Sequence, residues 1–100
     1  MKNLNDMTEE EQIEFLKKDP FPFAIQYIDN PSERVQLVAV NLDGYAIHYI
    51  KNPSKDALIT AMLILLHAGN IDYVDELLNK YSDKNYPEFK IIRQSIEADI

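Results

Sequence analysis

The sequence has no cysteine, no tryptophan, only two glycines and no cluster of basic residues. The lack of cysteine, the scarcity of glycine and the lack of basic clusters each remove a class of function. Without cysteine there is no disulfide framework and no thiolate to act as nucleophile or metal ligand. Gly44 and Gly69 stand far apart, so no glycine-rich loop exists to cradle a phosphate. The longest apolar run, residues 57–66, is broken by Thr60 and is too short to span a bilayer. Met1-Lys2-Asn3-Leu4-Asn5-Asp6 lacks the apolar stretch of a secretion signal. A soluble, cytoplasmic protein with no membrane contact is therefore expected. Acids outnumber bases, giving a net charge of −7. Residues 1–19 and 71–100 each carry −3, and residues 20–70 carry only −1. No basic stripe is present to neutralise phosphates, so direct binding of nucleic acid is not expected. The acidic ends suit a partner with a basic surface, and they also serve solubility.

What is present is a segment written twice. Phe23-Ala24-Ile25-Gln26-Tyr27-Ile28-Asp29-Asn30-Pro31-Ser32 returns, 22 residues later, as Tyr45-Ala46-Ile47-His48-Tyr49-Ile50-Lys51-Asn52-Pro53-Ser54. The match runs on through Leu37/Ile59, Ala39/Ala61 and Val40/Met62. A fixed period of this length is the signature of a helical repeat array. Hydrophobic residues make up 46% of the chain, enough for a small core within one domain spanning residues 1–100.

The chain then reads as a succession of helices. Thr8-Glu9-Glu10-Glu11 has the form of a capping box, in which hydroxyl and carboxylate each satisfy the other residue's backbone amide. The helix it opens carries Ile13 and Leu16 on one face with Phe15 beside them, and Asp19-Pro20-Phe21-Pro22 stops it. A short helix follows from Pro22 or Phe23 to about Ile28, with i,i+4 pairs Phe23/Tyr27 and Ala24/Ile28. At the corner Asn30-Pro31-Ser32-Glu33, either Asn30 or Ser32 can cap the next helix. That helix shows Val35, Val38, Ala39 and Leu42 at helical spacing, and Gly44 is expected to end it in the left-handed conformation. The second copy has a short helix from Tyr45 to Ile50, a corner at Asn52-Pro53-Ser54, and a long helix ending at Gly69-Asn70. This long helix is apolar nearly all round, which marks a central element. Ile71 to Tyr81 forms a further helix with Ile71, Val74, Leu77, Leu78 and Tyr81 on one face. After a loop from Ser82 to Tyr86, Pro87 opens a last helix with Phe89, Ile92 and Ile96 inward and Ile91 at the margin.

The repeats are placed at residues 23–44 and 45–69, with capping helices over residues 71–100. A degenerate copy over residues 8–22 pairs Thr8 with Ser32, Gln12 with Gln36 and Leu16 with Val40 at an offset of 24. An array needs about three units before its stacked core is stable, and these end segments supply them. The predicted fold is all-α: a short right-handed solenoid of two to three repeats, with about seven helices, two of them short.

The unit Asn-Pro-Ser-x-x-Val-Gln-Leu-x-Ala-Val, followed by Gly-Tyr-Ala-Ile-x-Tyr-Ile, resembles a repeat domain of unknown function from bacteria and their phages. More distantly it is similar to leucine-rich-variant and HEAT-like α-solenoids. The resemblance covers residues 23–63, and Gly44 to Ser54 carries it best. The second copy departs from it, with Ala57 and Leu58 standing where the first has Val35 and Gln36. What it implies is short and long helices alternating in a curved stack, with no shared catalytic residues to transfer.

The sequence offers little chemistry of its own. His48 and His67 lie 19 residues apart with no cysteine and no His-x-x-x-His pair, so no metal site is expected. Asp72, Asp75 and Glu76 have no calcium-loop spacing and read as a solvated helix face. Ser32 and Ser54 recur at helix starts and read as caps. No enzyme, metal or cofactor is expected. Tyr27 and Tyr49 recur, which points to packing between repeats with their hydroxyls at the rim. Binding is better sought where the copies differ: Gln26/His48, Asp29/Lys51 and Glu33/Lys55. The expectation is a non-catalytic protein-interaction module using Gln26, Asp29, His48, Lys51 and Lys55, with Asp72, Asp75 and Glu76 as an acidic patch. Its sharper form is a phage- or prophage-encoded inhibitor of a host protein, whose acidic terminal helices compete for a basic, nucleic-acid-binding surface. The alternative is a structural, self-associating protein, a homodimer completed through an open solenoid end at Leu66.

Overall fold

The computed structural model describes residues 3–18 and 22–98. They are all-α, with no strand among the described residues. The α-helices are α1 (Glu9–Lys18), α2 (Glu33–Leu42), α3 (Lys55–His67), α4 (Ile71–Lys80) and α5 (Pro87–Ala98). Short 3₁₀ segments lie between them at Leu4–Asp6, Pro22–Tyr27, Gly44–Tyr49 and Ser82–Lys84. The chain divides into two compact units, Met1–Ala61 and Met62–Ile100, and the boundary falls within α3.

In the first unit α1 packs against α2, and both six-residue 3₁₀ segments pack against α2 and against each other. The repeated sequence explains this. A 3₁₀ turn has three residues, so side chains at i and i+3 share a face. Ile25 and Ile28 are 1% and 6% exposed, and their counterparts Ile47 and Ile50 are 1% and 4% exposed. Burying each such side chain contributes about 1.5–3 kcal/mol. The hydrogen bonds have the same period: Ile28 N–H to the Ile25 carbonyl at 3.0 Å, and Ile50 N–H to that of Ile47 at 3.2 Å. The expected i,i+4 pairs Phe23/Tyr27 and Ala24/Ile28 are thus replaced by i,i+3 pairs. Six residues are too few to gain α-helical cooperativity, and a tighter turn brings both isoleucines inward.

The helix starts follow their side chains. Thr8 and Glu11 form the reciprocal box, Thr8 N–H to Glu11 Oε1 at 3.0 Å and Glu11 N–H to Thr8 Oγ1 at 3.2 Å. Ser32 caps α2 by accepting from Val35 N–H at 3.3 Å, and Ser54 accepts from Ala57 N–H at 3.1 Å. Asn30 is not the cap; it sits before the helix at φ +50°.

Two helix ends differ from each other. Gly44 is not left-handed: it is buried and opens the second 3₁₀ segment. The reversal falls to Asp43, which is extended. Its N–H closes α2 on the Ala39 carbonyl at 3.0 Å, and its carboxylate accepts from Tyr45 N–H at 2.9 Å. One residue therefore ends one element and starts the next. Gly69 does take positive φ, at +84°. There Gly69 N–H bonds the Leu66 carbonyl and Asn70 N–H the Leu65 carbonyl, the paired closure of a Schellman end.

In the second unit α4 packs against α5. Val74, Leu77 and Leu78 of α4, Tyr81 just after it, and Phe89 and Ile92 of α5 are buried. The region 82–86, expected as a loop, contains the 3₁₀ turn Ser82–Lys84, closed by left-handed Asn85. Pro87 opens α5 as predicted, and Ile91 is 64% exposed. The residues expected to stop α1, Asp19, Pro20 and Phe21, lie outside the described residues.

Candidate functional site

Two buried glutamines connect the core of the first unit to its surface. Gln12 is 9% exposed and donates from Nε2 to the Leu4 carbonyl at 2.9 Å. Gln36 is 6% exposed and works at both ends: Nε2 donates to the Pro31 carbonyl at 3.0 Å, and Oε1 accepts from Ser54 N–H at 2.8 Å. It therefore ties the first Asn-Pro-Ser corner to the second. Asn5 performs a similar task one step earlier, donating to the Tyr27 carbonyl at 3.2 Å and accepting from Asp29 N–H at 2.7 Å. Gln36 and Asn5 thus each grip main chain with a donor and an acceptor at once, as carboxamide chemistry allows.

Between the two corners these contacts leave a concavity of about 450 Å³. Gln26, Asp29, Asn30, Pro31, Tyr49, Lys51 and Asn52 line it, with Ile28 and Gln36 beneath. Its size falls within the range of about 300–1,000 Å³ typical of ligand clefts. Three predicted residues meet here: Gln26, Asp29 and Lys51. His48 is exposed just outside, its ring edge-on to Tyr49 with centroids 5.1 Å apart. Lys55 is exposed at the start of α3 and does not line the concavity. Asp72, Asp75 and Glu76 are exposed on α4 in the other unit, as expected of an outward face. Asp75 is nevertheless engaged, 3.6 Å from the Arg93 guanidinium of α5.

The recurrent tyrosines part company. Tyr49 is half-buried and stacks at a tilt on Phe23, ring centroids 4.9 Å apart, so one copy does pack on the other. Tyr27 is 66% exposed and does not follow the packing expected of the pair. Asn30, Asn52, Tyr49 and Gln36 line the site without having been singled out as binding residues. Recurrence marked the asparagines as helix-start residues, which concealed that both overlook one cleft.

Away from the concavity, Arg34 of α2 bonds Glu9 at 3.1 Å and also Glu10, both on α1. Its hydrogen bonds to Glu10, and then to Glu9, raise the guanidinium pKa further above its ordinary value. A raised folded-state pKa gives stability that is present below the unfolded value and lost only as pH rises through the folded one. For arginine that window lies beyond ordinary pH, so the titration of Arg34 adds no physiological pH dependence, and the exposed pair is sensitive to salt.

No group of three or more histidines, aspartates or glutamates among the described residues is placed to hold a metal ion. No described helix is long and apolar enough to cross a membrane. Comparison with protein-family models, with curated proteins and with solved structures finds no match to the chain.

Proposed function

We propose that the chain is a small, non-catalytic protein-interaction module that binds through the concavity between its two Asn-Pro-Ser corners. The observation that carries this reading is the convergence there of Gln26, Asp29 and Lys51, positions at which neighbouring copies differ or which face such a position. A scaffold repeated for packing, with variable polar residues gathered in one cleft, is the arrangement used by repeat proteins that bind partners along a continuous surface. In this reading the first unit belongs to a short right-handed solenoid, and Thr8, Ser32 and Ser54 mark successive helix starts. Burial of Gln12 with Gln36, and of Leu16 with Val40, supports a degenerate copy before the two clear ones. A cytoplasmic inhibitor of a host protein is the sharper form of the proposal.

The test is a tagged pull-down from lysate, comparing the native chain with Gln26→Arg/Asn52→Arg. Both sites are exposed, so folding is expected to be retained. A stoichiometric partner held by the native chain and lost by the variant supports the site. A partner held equally by both removes it.

One observation favours self-association as a second reading. Leu63 of α3 is 44% exposed, and Leu66 is partly so. Light scattering decides: a dimer dissociated by Leu63→Glu supports it, and a monomer at high concentration excludes it.

A further inference from the structure

We infer that the corner concavity takes an extended segment of a partner polypeptide, recognised through its main chain and flanked by one basic and one acidic side chain. The inference rests on the protein-interaction reading and adds the class of ligand. Three observations carry it.

The first is a surplus of carboxamides. The side chains of Gln26, Asn30 and Asn52 line the cleft, are exposed, and make no hydrogen bond among the described residues. Each offers a donor and an acceptor in one plane, the pattern that a peptide group presents in reverse. The second is a precedent within the molecule. Asn5 holds the Tyr27 carbonyl and the Asp29 N–H with one carboxamide, and Gln36 holds the Pro31 carbonyl and the Ser54 N–H with another. This fold already uses carboxamides to grip irregular main chain beside the same cleft. The third is charge. Asp29 and Lys51 both line the concavity, yet neither forms an ion pair among the described residues. Opposite charges that line one cleft and do not neutralise each other are free to pair with a ligand. An extended segment with a lysine or arginine at one end and an acid at the other satisfies both, while the three amides bond its intervening peptide groups. Tyr49 supplies an apolar wall for a side chain in between. Long-range charge thereby sets the direction of the bound strand, because reversing it brings like charges together.

The experiment uses the full chain, fluorescently labelled, on an array of immobilised peptides in which a lysine and a glutamate are separated by a short variable spacer, in both orders. Peptides of one order are expected to retain the protein more strongly than those of the other. N-methylation of the spacer amides leaves every side chain in place and is expected to weaken binding about tenfold, the loss of one or two hydrogen bonds. The double variant Asp29→Lys/Lys51→Asp is expected to reverse the preferred order. All the substituted residues are exposed, and circular dichroism of each variant checks that the helices persist. Retention unaffected by N-methylation, an order preference unmoved by the charge exchange, or no retention on any peptide overturns the inference. The loss of the pull-down partner from the Gln26→Arg/Asn52→Arg variant is read separately. A partner lost there with a silent array leaves the interaction site standing and rejects only its extended-peptide ligand.

Discussion

At the first Asn-Pro-Ser corner Asn30 sits at φ +50°, while at the second Asn52 stays out of the positive region. The main chain leading into the first corner is gripped by Asn5, from the amino-terminal segment. The second is gripped at Ser54 by Gln36, from α2. Yet the caps are the same: Ser32 and Ser54 each accept from the N–H three residues on. The comparison separates two kinds of determinant. A cap is local, so identical tripeptides make it identically. The path into the corner is set by whichever carboxamide arrives from the preceding element, and there the two copies have different neighbours. Gln36 shows the divergence most clearly, since its counterpart one repeat later is Leu58, 1% exposed.

Exchanging these two residues breaks the comparison hardest. Leu58→Gln buries a carboxamide at a site where leucine is fully enclosed, losing apolar packing and adding an uncompensated polar group. A loss of about 3 kcal/mol or more is expected in urea denaturation. Gln36→Leu, which makes the first copy resemble the second, leaves the Pro31 carbonyl and the Ser54 N–H without their partner. Ser54 is only half-buried, so water compensates in part, and about 1–2 kcal/mol is expected by the same measurement. Should Gln36→Leu prove neutral, the tie between the corners does not hold them. Next in size are the caps. Ser32→Ala and Ser54→Ala are each expected to cost about 1 kcal/mol, equal to within about half of that. A clear inequality in thermal unfolding would show that corner context, rather than the hydroxyl, governs the helix start.

Much of this architecture was legible in the sequence because local chemistry decided it. The Thr8/Glu11 box, the inward stripe of α4 and the opening of α5 at Pro87 all rest on spacing within a few residues. The 3₁₀ form of residues 22–27 and 44–49 was not legible, because Ile25/Ile28 and Ile47/Ile50 fit either helix type over so short a stretch. Gly44 misled for a related reason. A glycine after a helix resembles a left-handed stop, but Asp43 makes the turn by extending and bonding to both elements. Of the residues that line the concavity, the contrast between copies picked out Gln26, Asp29 and Lys51, because variation at a repeated position needs no coordinates to be seen. Asn30, Asn52 and Gln36 escaped it. Two are invariant between the copies, and the third is a buried polar residue whose partners lie 5 and 18 residues away.

The smallest expected effect gives the sharpest discrimination. Asn30→Gly and Asn52→Gly delete the same carboxamide from the same cleft, and each adds freedom to the unfolded chain that costs roughly 0.5–1 kcal/mol. Only at position 30 is there a return, since glycine adopts φ near +50° without the steric penalty a side chain meets there. Asn30→Gly is therefore expected to be neutral in stability to within about half a kcal/mol, and Asn52→Gly to be destabilising by roughly 0.5–1 kcal/mol. On the peptide array the proposed recognition through the side-chain amides predicts that the two lose retention alike, whatever the backbone angle. Equal destabilisation would show that the first corner carries no conformational cost. Equal stability with unequal binding would mean that only one of the two asparagines reaches the ligand.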